Sequence, residues 1–226
     1  MPDAPWTIGR LLQWTTQYLG DHGSESPRLE AEVLLAHARG CKRIELYTTF
    51  EEPASDELRN SFRGLVKRRA EGTPVAYLVG KREFFSLEFC VTPDVLIPRP
   101  ETEHVIVALL DAVKINCRSG EAVQIADIGT GSGILAVTAA KRLPNAAITA
   151  IDICPRALEV ARGNATRYKV AERIAFVESN LFDALPSEAT FDYIVSNPPY
   201  IPTTEWEALP ADVKNFEPRK ALEAGS

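Results

Sequence analysis

The pattern of hydrophobic and polar positions changes once along the chain, from a helical period to an alternation of strands and helices. Leu11, Leu12, Trp14, Tyr18 and Leu19 recur at helical spacing after Trp6. Ser26-Pro27 offers a hydroxyl cap followed by proline at the first helical position. Leu29, Val33, Leu34 and Ala38 then line one face, and Gly40 can close the helix. A further start lies at Ser55, with Asp56 and Glu57 in the first turn and Leu58, Phe62, Leu65 and Val66 as its stripe. Lys67, Arg68 and Arg69 fall in its last turns, so the charge order complements the helix dipole. That basic triplet reads as a helix end before it reads as a docking patch. Residues 1–75 are therefore expected to form a small all-α bundle, without a catalytic constellation of their own.

Thr73-Pro74 and Gly80 break this period. Phe84–Val91 is strand-like, and Pro93, Pro98 and Pro100 punctuate the stretch up to Glu101, so residues 76–101 are expected to be a β-hairpin linker. Residues 102–226 alternate. A helix is predicted over Glu103–Val113, short apolar strands at 123–128, 147–152, 173–178 and 191–196, and helices at 133–142 and 155–168. Such alternation predicts a mostly parallel sheet wrapped by helices, an α/β domain.

Composition narrows the partners. Of 226 residues, 45% are hydrophobic and 25% charged, the balance of an ordinary globular chain able to bury a core. The net charge of −6 lacks the basic excess that phosphate neutralisation demands, so no direct nucleic-acid binding is expected. Cys41, Cys90, Cys117 and Cys154 form no CxxC pair, and His22, His37 and His104 are scattered. They are read as buried, reduced thiols, with no metal site. Met1, Pro2 and Asp3 open no basic-then-apolar leader, and no apolar run is long enough to cross a membrane. A cytoplasmic, monomeric protein that is intact at its start is expected.

The first strand of the α/β region runs into Asp127-Ile128-Gly129-Thr130-Gly131-Ser132-Gly133. Glycines there let the chain turn sharply and let a ligand approach the main chain without a Cβ between them. The following helix leaves free N–H groups at the same place. The next strand ends in Ala150-Ile151-Asp152, where a carboxylate can accept hydrogen bonds from ribose hydroxyls. NAD, S-adenosylmethionine and a purely structural turn all remain compatible with glycines in this context. The leading acid Asp127 and the closer glycine spacing favour S-adenosylmethionine, which has no pyrophosphate to cradle.

The fourth strand ends in Asn197-Pro198-Pro199-Tyr200. At the carboxyl end of a parallel strand these residues face the ligand crevice. An amide NH2 is a poor nucleophile because its lone pair is delocalised. Two acceptors at its hydrogens, the Asn197 side-chain oxygen and the Pro198 carbonyl, favour a more pyramidal nitrogen in the transition state. Tyr200 can stack on the flat group and aim its lone pair. Positioning then outweighs acid–base chemistry, and no Ser/His/Asp or Cys/His nucleophile is needed.

Together, Asp127–Gly133, Asp152 and Asn197–Tyr200 resemble the methyltransferases that act on planar nitrogens. Val95-Leu96-Ile97-Pro98-Arg99-Pro100-Glu101-Thr102-Glu103 and Arg28-Leu29-Glu30-Ala31-Glu32-Val33-Leu34-Leu35 extend the likeness over nearly the whole chain. The chain is similar to the HemK/PrmC family, the release-factor glutamine methyltransferases. The resemblance implies a class I, Rossmann-like S-adenosylmethionine methyltransferase sheet behind the helical bundle. It implies methylation of the side-chain N5 of the glutamine in the Gly-Gly-Gln loop of bacterial peptide-chain release factors, with the bundle helping to hold that partner. Gly129, Thr130, Gly131, Ser132, Gly133, Asp152, Asn180, Leu181 and Asn197 would then contact cofactor. Asn197, Pro198, Pro199 and Tyr200 would hold the glutamine, with Asn197, Pro198 and Tyr200 carrying catalysis. Adenine-N6 DNA or guanine-N2 rRNA methylation, ribosomal-protein glutamine methylation and a non-catalytic binding module are the alternatives.

The chain departs from the family pattern twice. It stops soon after Arg219-Lys220-Ala221-Leu222, where members continue into further strands, so a C-terminally truncated and aggregation-prone sheet with an open edge is expected. Asn180 also stands where the family often has aspartate, a stronger acceptor for an adenine amino group. Asn180→Asp is therefore expected to tighten cofactor binding in a calorimetric titration; unchanged or weaker affinity contradicts this.

Overall fold

A computed structural model describes residues 5–117 and 120–225. Met1, Pro2 and Asp3, which bear on the leader reading, lie outside them. The chain divides into a helical unit ending at Val79 and an α/β unit beginning at Gly80. The hairpin thus groups with the second unit rather than standing apart as a linker. No helix among the described residues is long and apolar enough to cross a membrane.

The helical unit holds α1 (Ile8–Asp21), α2 (Pro27–Arg39), α3 (Glu45–Thr48), α4 (Asp56–Ala70) and α5 (Val75–Val79). Ser55 caps α4 by accepting from the Leu58 N–H, and Gly40 ends α2 in the left-handed conformation at φ 68. Ser26 makes no side-chain cap bond; Pro27 alone marks that start. The buried face of α2 carries Ala31, Leu34 and Leu35, while Leu29 is exposed. Trp14 is likewise half exposed, because it stacks on Tyr18 at 4.9 Å and meets Trp6 edge-on instead of entering the core.

Two carboxylates on α2 tie this unit together. Glu30 takes a two-bond grip from Arg69, at 2.8 and 2.9 Å, joining α4 to α2. Glu32 is buried and accepts from Tyr47, Arg43 and Arg28. Burial pushes the Glu32 carboxyl up, but those bonds outweigh it and hold the group below its ordinary value.

In the α/β unit, β1 (Lys81–Phe84) and β2 (Leu87–Cys90) form an antiparallel hairpin. Phe84–Val91 is therefore not one strand. It turns at Phe85 and Ser86, which both adopt positive φ without being glycine. After α6 (Glu103–Asn116) come β3 (Val123–Ile128), α7 (Ile134–Arg142), β4 (Ala146–Asp152), α8 (Pro155–Arg167), β5 (Ile174–Glu178) and β6 (Tyr193–Ser196). Their four strands are parallel in the order β5-β4-β3-β6. The apolar strand faces pack under α6 and α7, with Ile106, Leu109, Ile125, Val137 and Ile148 at the centre. Strand β6 is an edge among the described residues, and its Ile194 is exposed. Beyond it lie β7 (Ile201–Pro202), α9 (Ala211–Phe216) and β8 (Glu223–Gly225), gathered around Ile201, Trp206 and Leu222.

The cysteines are free thiols, but Cys90 is exposed and the others only partly covered, so the expectation of buried thiols is corrected. They sit at element ends (Cys90 closes β2 and Cys154 precedes α8), where the chain meets solvent.

One buried polar side chain links three parts of this unit. Asn164 on α8 accepts from the Cys90 N–H at 2.8 Å and donates to the carbonyls of Cys90 and Ser132, at 3.0 and 2.8 Å. It thereby fastens the hairpin and the glycine loop to one helix. Asn164→Ala is expected to lower stability by about 3 kcal/mol, because three backbone groups lose their partner at once. Chemical denaturation reads this; a loss below about 1 kcal/mol contradicts it.

Candidate active site

The register of the parallel strands brings the sequence-predicted groups to one edge. Ile128 pairs with Ile151 on β4 and with Ser196 on β6, so the chain leaves all three strands side by side. The glycine loop exits β3, Asp152 ends β4, and Asn197 follows β6. On the far side of β4, Glu178 pairs with Asp152, which places Asn180 and Leu181 next along the same edge. Adjacent strands lie about 4.8 Å apart, so Asn197 and the glycine loop are close neighbours.

The loop is shaped by what its glycines omit. Gly131 and Gly133 sit at φ 56 and 80, and a Cβ on Gly133 would come within 3.0 Å of the Ala161 Cβ. Only glycine lets α7 start this close to α8. The Gly131 N–H donates to Asp152 at 2.8 Å, and the other Asp152 oxygen accepts from the Cys154 N–H. Thr130 and Ser132 turn out to be buried. The Thr130 hydroxyl donates to Asp127 at 2.7 Å, so these two positions offer a ligand their backbone rather than their side chains.

Asp127 lies at the root of the loop, buried, with one oxygen held by Thr130 and the Ala136 N–H and the other without a protein partner. Burial pushes its carboxyl up to about 6. The hydrogen bonds from Thr130 and Ala136 oppose that rise, while the charge of Asp152 adds to it. Two carboxylates beside one glycine loop repel an anionic pyrophosphate and attract a sulfonium or ammonium group. Each Asp152 oxygen accepts one backbone N–H and keeps a lone pair that could accept from a ribose hydroxyl. Ile153, Leu181 and Phe182 form exposed apolar surface at the same strand ends, suited to a flat base. The residues present fit S-adenosylmethionine.

Asn180 is exposed and donates to Asp183 at 3.3 Å, while Leu181 takes a left-handed backbone at φ 50. Asn197 is half-buried, and its Nδ2 donates to the Thr102 hydroxyl oxygen at 3.2 Å. Ser196 anchors the strand end by donating to the Ile128 carbonyl. Pro198 is exposed, Pro199 half-buried, and Tyr200 is 67% exposed, open to a large partner. The N–H groups of Tyr200 and Ile201 donate to the Leu222 carbonyl, which holds the segment after the prolines.

Residues 10–80 match the PrmC N-terminal domain family, and residues 107–209 match the methyltransferase small domain family. The release factor glutamine methyltransferase of Rhodopirellula baltica is 52% identical over 223 residues, 99% of this chain and 75% of that protein. The protein of the same name from Geobacter sulfurreducens is 44% identical over 221 residues, 98% of this chain and 75% of its own length. The chain belongs to the release factor glutamine methyltransferase family. Among solved structures, a SAM dependent methyltransferase from Agrobacterium tumefaciens matches 53% of this chain and 39% of its own, at 19% identity and a TM-score of 0.43.

Several supporting residues of this family member escaped the pattern of the sequence. Glu217 is buried; it pairs with Arg99 at 2.6 Å and accepts from the Ile97 N–H at 3.1 Å. Its Phe-Glu-Pro setting gave no sign of that. Glu103 accepts from the Phe85 N–H, which makes it a clasp on the hairpin turn rather than a site residue. Asn164 was detectable, as a polar residue in register with Ala157, Leu158, Ala161 and Ala165 on a helix's buried face. A depression of about 460 Å³ around Glu32 and Tyr47 in the helical unit lies among groups already bonded to one another, and no catalytic role follows from it.

The raised Asp127 pKa has a testable consequence. The folded state keeps this proton up to about 6, whereas the unfolded chain releases it near 3.8. Stability contributed by Asp127 therefore falls as pH rises across that window and is constant above it, by about 3 kcal/mol in all. Asp127→Asn removes the slope. The stability of the variant minus that of the native chain should rise between pH 4 and about 6.5 in chemical denaturation; a difference independent of pH contradicts the assignment.

Proposed function

We propose that this chain transfers the methyl group of S-adenosylmethionine to the side-chain amide nitrogen of a glutamine in a peptide-chain release factor, the one in its Gly-Gly-Gln loop. The observation that carries this reading is the position of Asn197-Pro198-Pro199-Tyr200, one strand over from the glycine loop, with Asn197 bonded through its nitrogen to Thr102. The names of the relatives supply the release factor.

When bound, S-adenosylmethionine supplies an electrophilic methyl carbon on a sulfonium. Backbone of Gly129–Gly133 lines its place, and the carboxylates of Asp127 and Asp152 provide a negative surrounding. Asp152 takes the ribose hydroxyls, while Asn180 and Leu181 border the adenine. Asn197 Oδ1 and the Pro198 carbonyl accept the two N–H groups of the target amide. Both bonds strengthen as positive charge builds on that nitrogen during attack, so they favour the transition state over the bound substrate. Tyr200 lies flat on the amide and limits its rotation. Held by the glycine loop and Asp152, the cofactor would supply the methyl group and take back the carbon–sulfur electron pair, while Asn197 and Pro198 keep the nitrogen lone pair aimed at the carbon. The surplus proton on the methylated amide is strongly acidic and leaves to solvent without a protein base.

The net charge of −6 favours a protein partner over a phosphate-rich one. The glutamine must reach the crevice from a protruding loop, and the exposure of Pro198 and Tyr200 leaves that approach open. The helical unit would hold the remainder of the release factor.

Incubation of a release factor with S-adenosylmethionine and this chain is expected to add one methyl mass to the Gly-Gly-Gln peptide in mass spectrometry. Asn197→Ala should lower turnover by about a hundredfold, as loss of a transition-state acceptor does, with a far smaller effect on cofactor affinity. A methyl group found on DNA or rRNA and never on the release factor contradicts the proposal.

A further inference from the structure

Resting on this methyl-transfer reading, we propose that Thr102 is a positioning residue that sets which end of the Asn197 amide meets the target nitrogen. An asparagine side chain has a donor end and an acceptor end of nearly equal shape, and rotation about its last torsion exchanges them. A target amide offers N–H donors. Only the oxygen end of Asn197 can hold it; the NH2 end would oppose it and leave buried donors facing one another.

A hydroxyl can meet either end of an amide, and in this structure Thr102 meets the nitrogen end. Its Oγ1 accepts from Asn197 Nδ2 at 3.2 Å, which engages the nitrogen and leaves Oδ1 as the end for substrate. Thr102 is itself buried, so no solvent competes for the bond. It is also firmly placed. It closes the turn Pro100–Thr102 immediately before α6, and its N–H donates to the Arg99 carbonyl. Arg99 and the Ile97 N–H are in turn held by the buried Glu217. The segment from Ile97 to Thr102 is therefore pinned at both its start and its end, and the hydroxyl has a fixed location from which to orient Asn197. Thr102 touches no reacting atom in this arrangement; it acts through Asn197.

Valine at this position keeps the shape and deletes the acceptor, and serine restores the acceptor. In the full chain, Thr102→Val is expected to lower kcat on the release factor about tenfold, the worth of one hydrogen bond realised in the transition state. Cofactor affinity by calorimetry should be unchanged, and Thr102→Ser should keep most of the native kcat. A merely structural role would move cofactor affinity as well and would not be rescued by serine. Native kcat in Thr102→Val, or equal loss in both variants, overturns the proposal. Should the native chain transfer no methyl group to a release factor, the functional reading fails, and Thr102 is judged on the Asn197 side-chain NH2 alone. Its protons, assigned by their disappearance in Asn197→Asp, should be exchange-protected in the native chain and Thr102→Ser and exposed in Thr102→Val. Equal exchange in all three overturns the inference.

Discussion

The register of β3 between β4 and β6 is the constraint on which the site depends. Parallel pairing of Ile128 with Ile151 on one side and Ser196 on the other makes three chain segments leave the sheet together. Because side chains alternate along a strand, a slip of one residue would turn Asp127 from the core to the opposite face. The same slip would carry Asn197 about 3.3 Å along the strand direction, beyond reach of any partner it now has. The glycine loop and the Asn197–Tyr200 segment are thus brought side by side as one consequence of backbone hydrogen bonding.

Strand register places the loops, but buried polar contacts give them shape. Asn164 holds the Ser132 carbonyl and the Cys90 backbone, so α8 governs the glycine loop as well as the hairpin. Asp127 fastens the same loop from below through Thr130 and Ala136. On the other side, Glu217 grips the segment at Ile97 and Arg99 that ends in Thr102. These groups occupy sites where an unpaired polar atom is costly, so each bond carries more weight than a surface contact of equal length. Of the three, Asp127 retains an unpartnered buried oxygen. Its position beside the loop that would take a cationic cofactor gives that strain a use.

Much of this was legible in the residue pattern, for identifiable reasons. The strands of the parallel sheet are short apolar runs bounded by turn residues, and each lies within a few residues of its expected bounds. Glycine spacing and the Asn-Pro-Pro-Tyr run were visible because few residue types can do their work. The hairpin turn was hidden, because Phe85 and Ser86 adopt positive φ where glycine or asparagine would announce it. Burial on α2 was also misjudged: Leu29 faces out while Glu32 faces in, since three donors from Arg28, Arg43 and Tyr47 outweigh the desolvation of one carboxylate. Thr130 and Ser132 were expected among the cofactor contacts without regard to which atoms would meet it; both are buried, and the Thr130 hydroxyl is taken by Asp127. Long-range polar pairs such as Asn197 with Thr102 and Arg99 with Glu217 have no local periodicity and emerge only with the fold.

The central claim is that Asn197 Oδ1 and the Pro198 carbonyl together grip a flat amide beside the glycine loop. A crystal structure with S-adenosylhomocysteine and a Gly-Gly-Gln peptide tests it most directly. The account predicts the glutamine nitrogen within hydrogen-bonding distance of both oxygens, with the cofactor sulfur at the far end of the line along which the methyl carbon travels. A glutamine nitrogen bound by other groups, or Asn197 rotated away from the crevice, would contradict it.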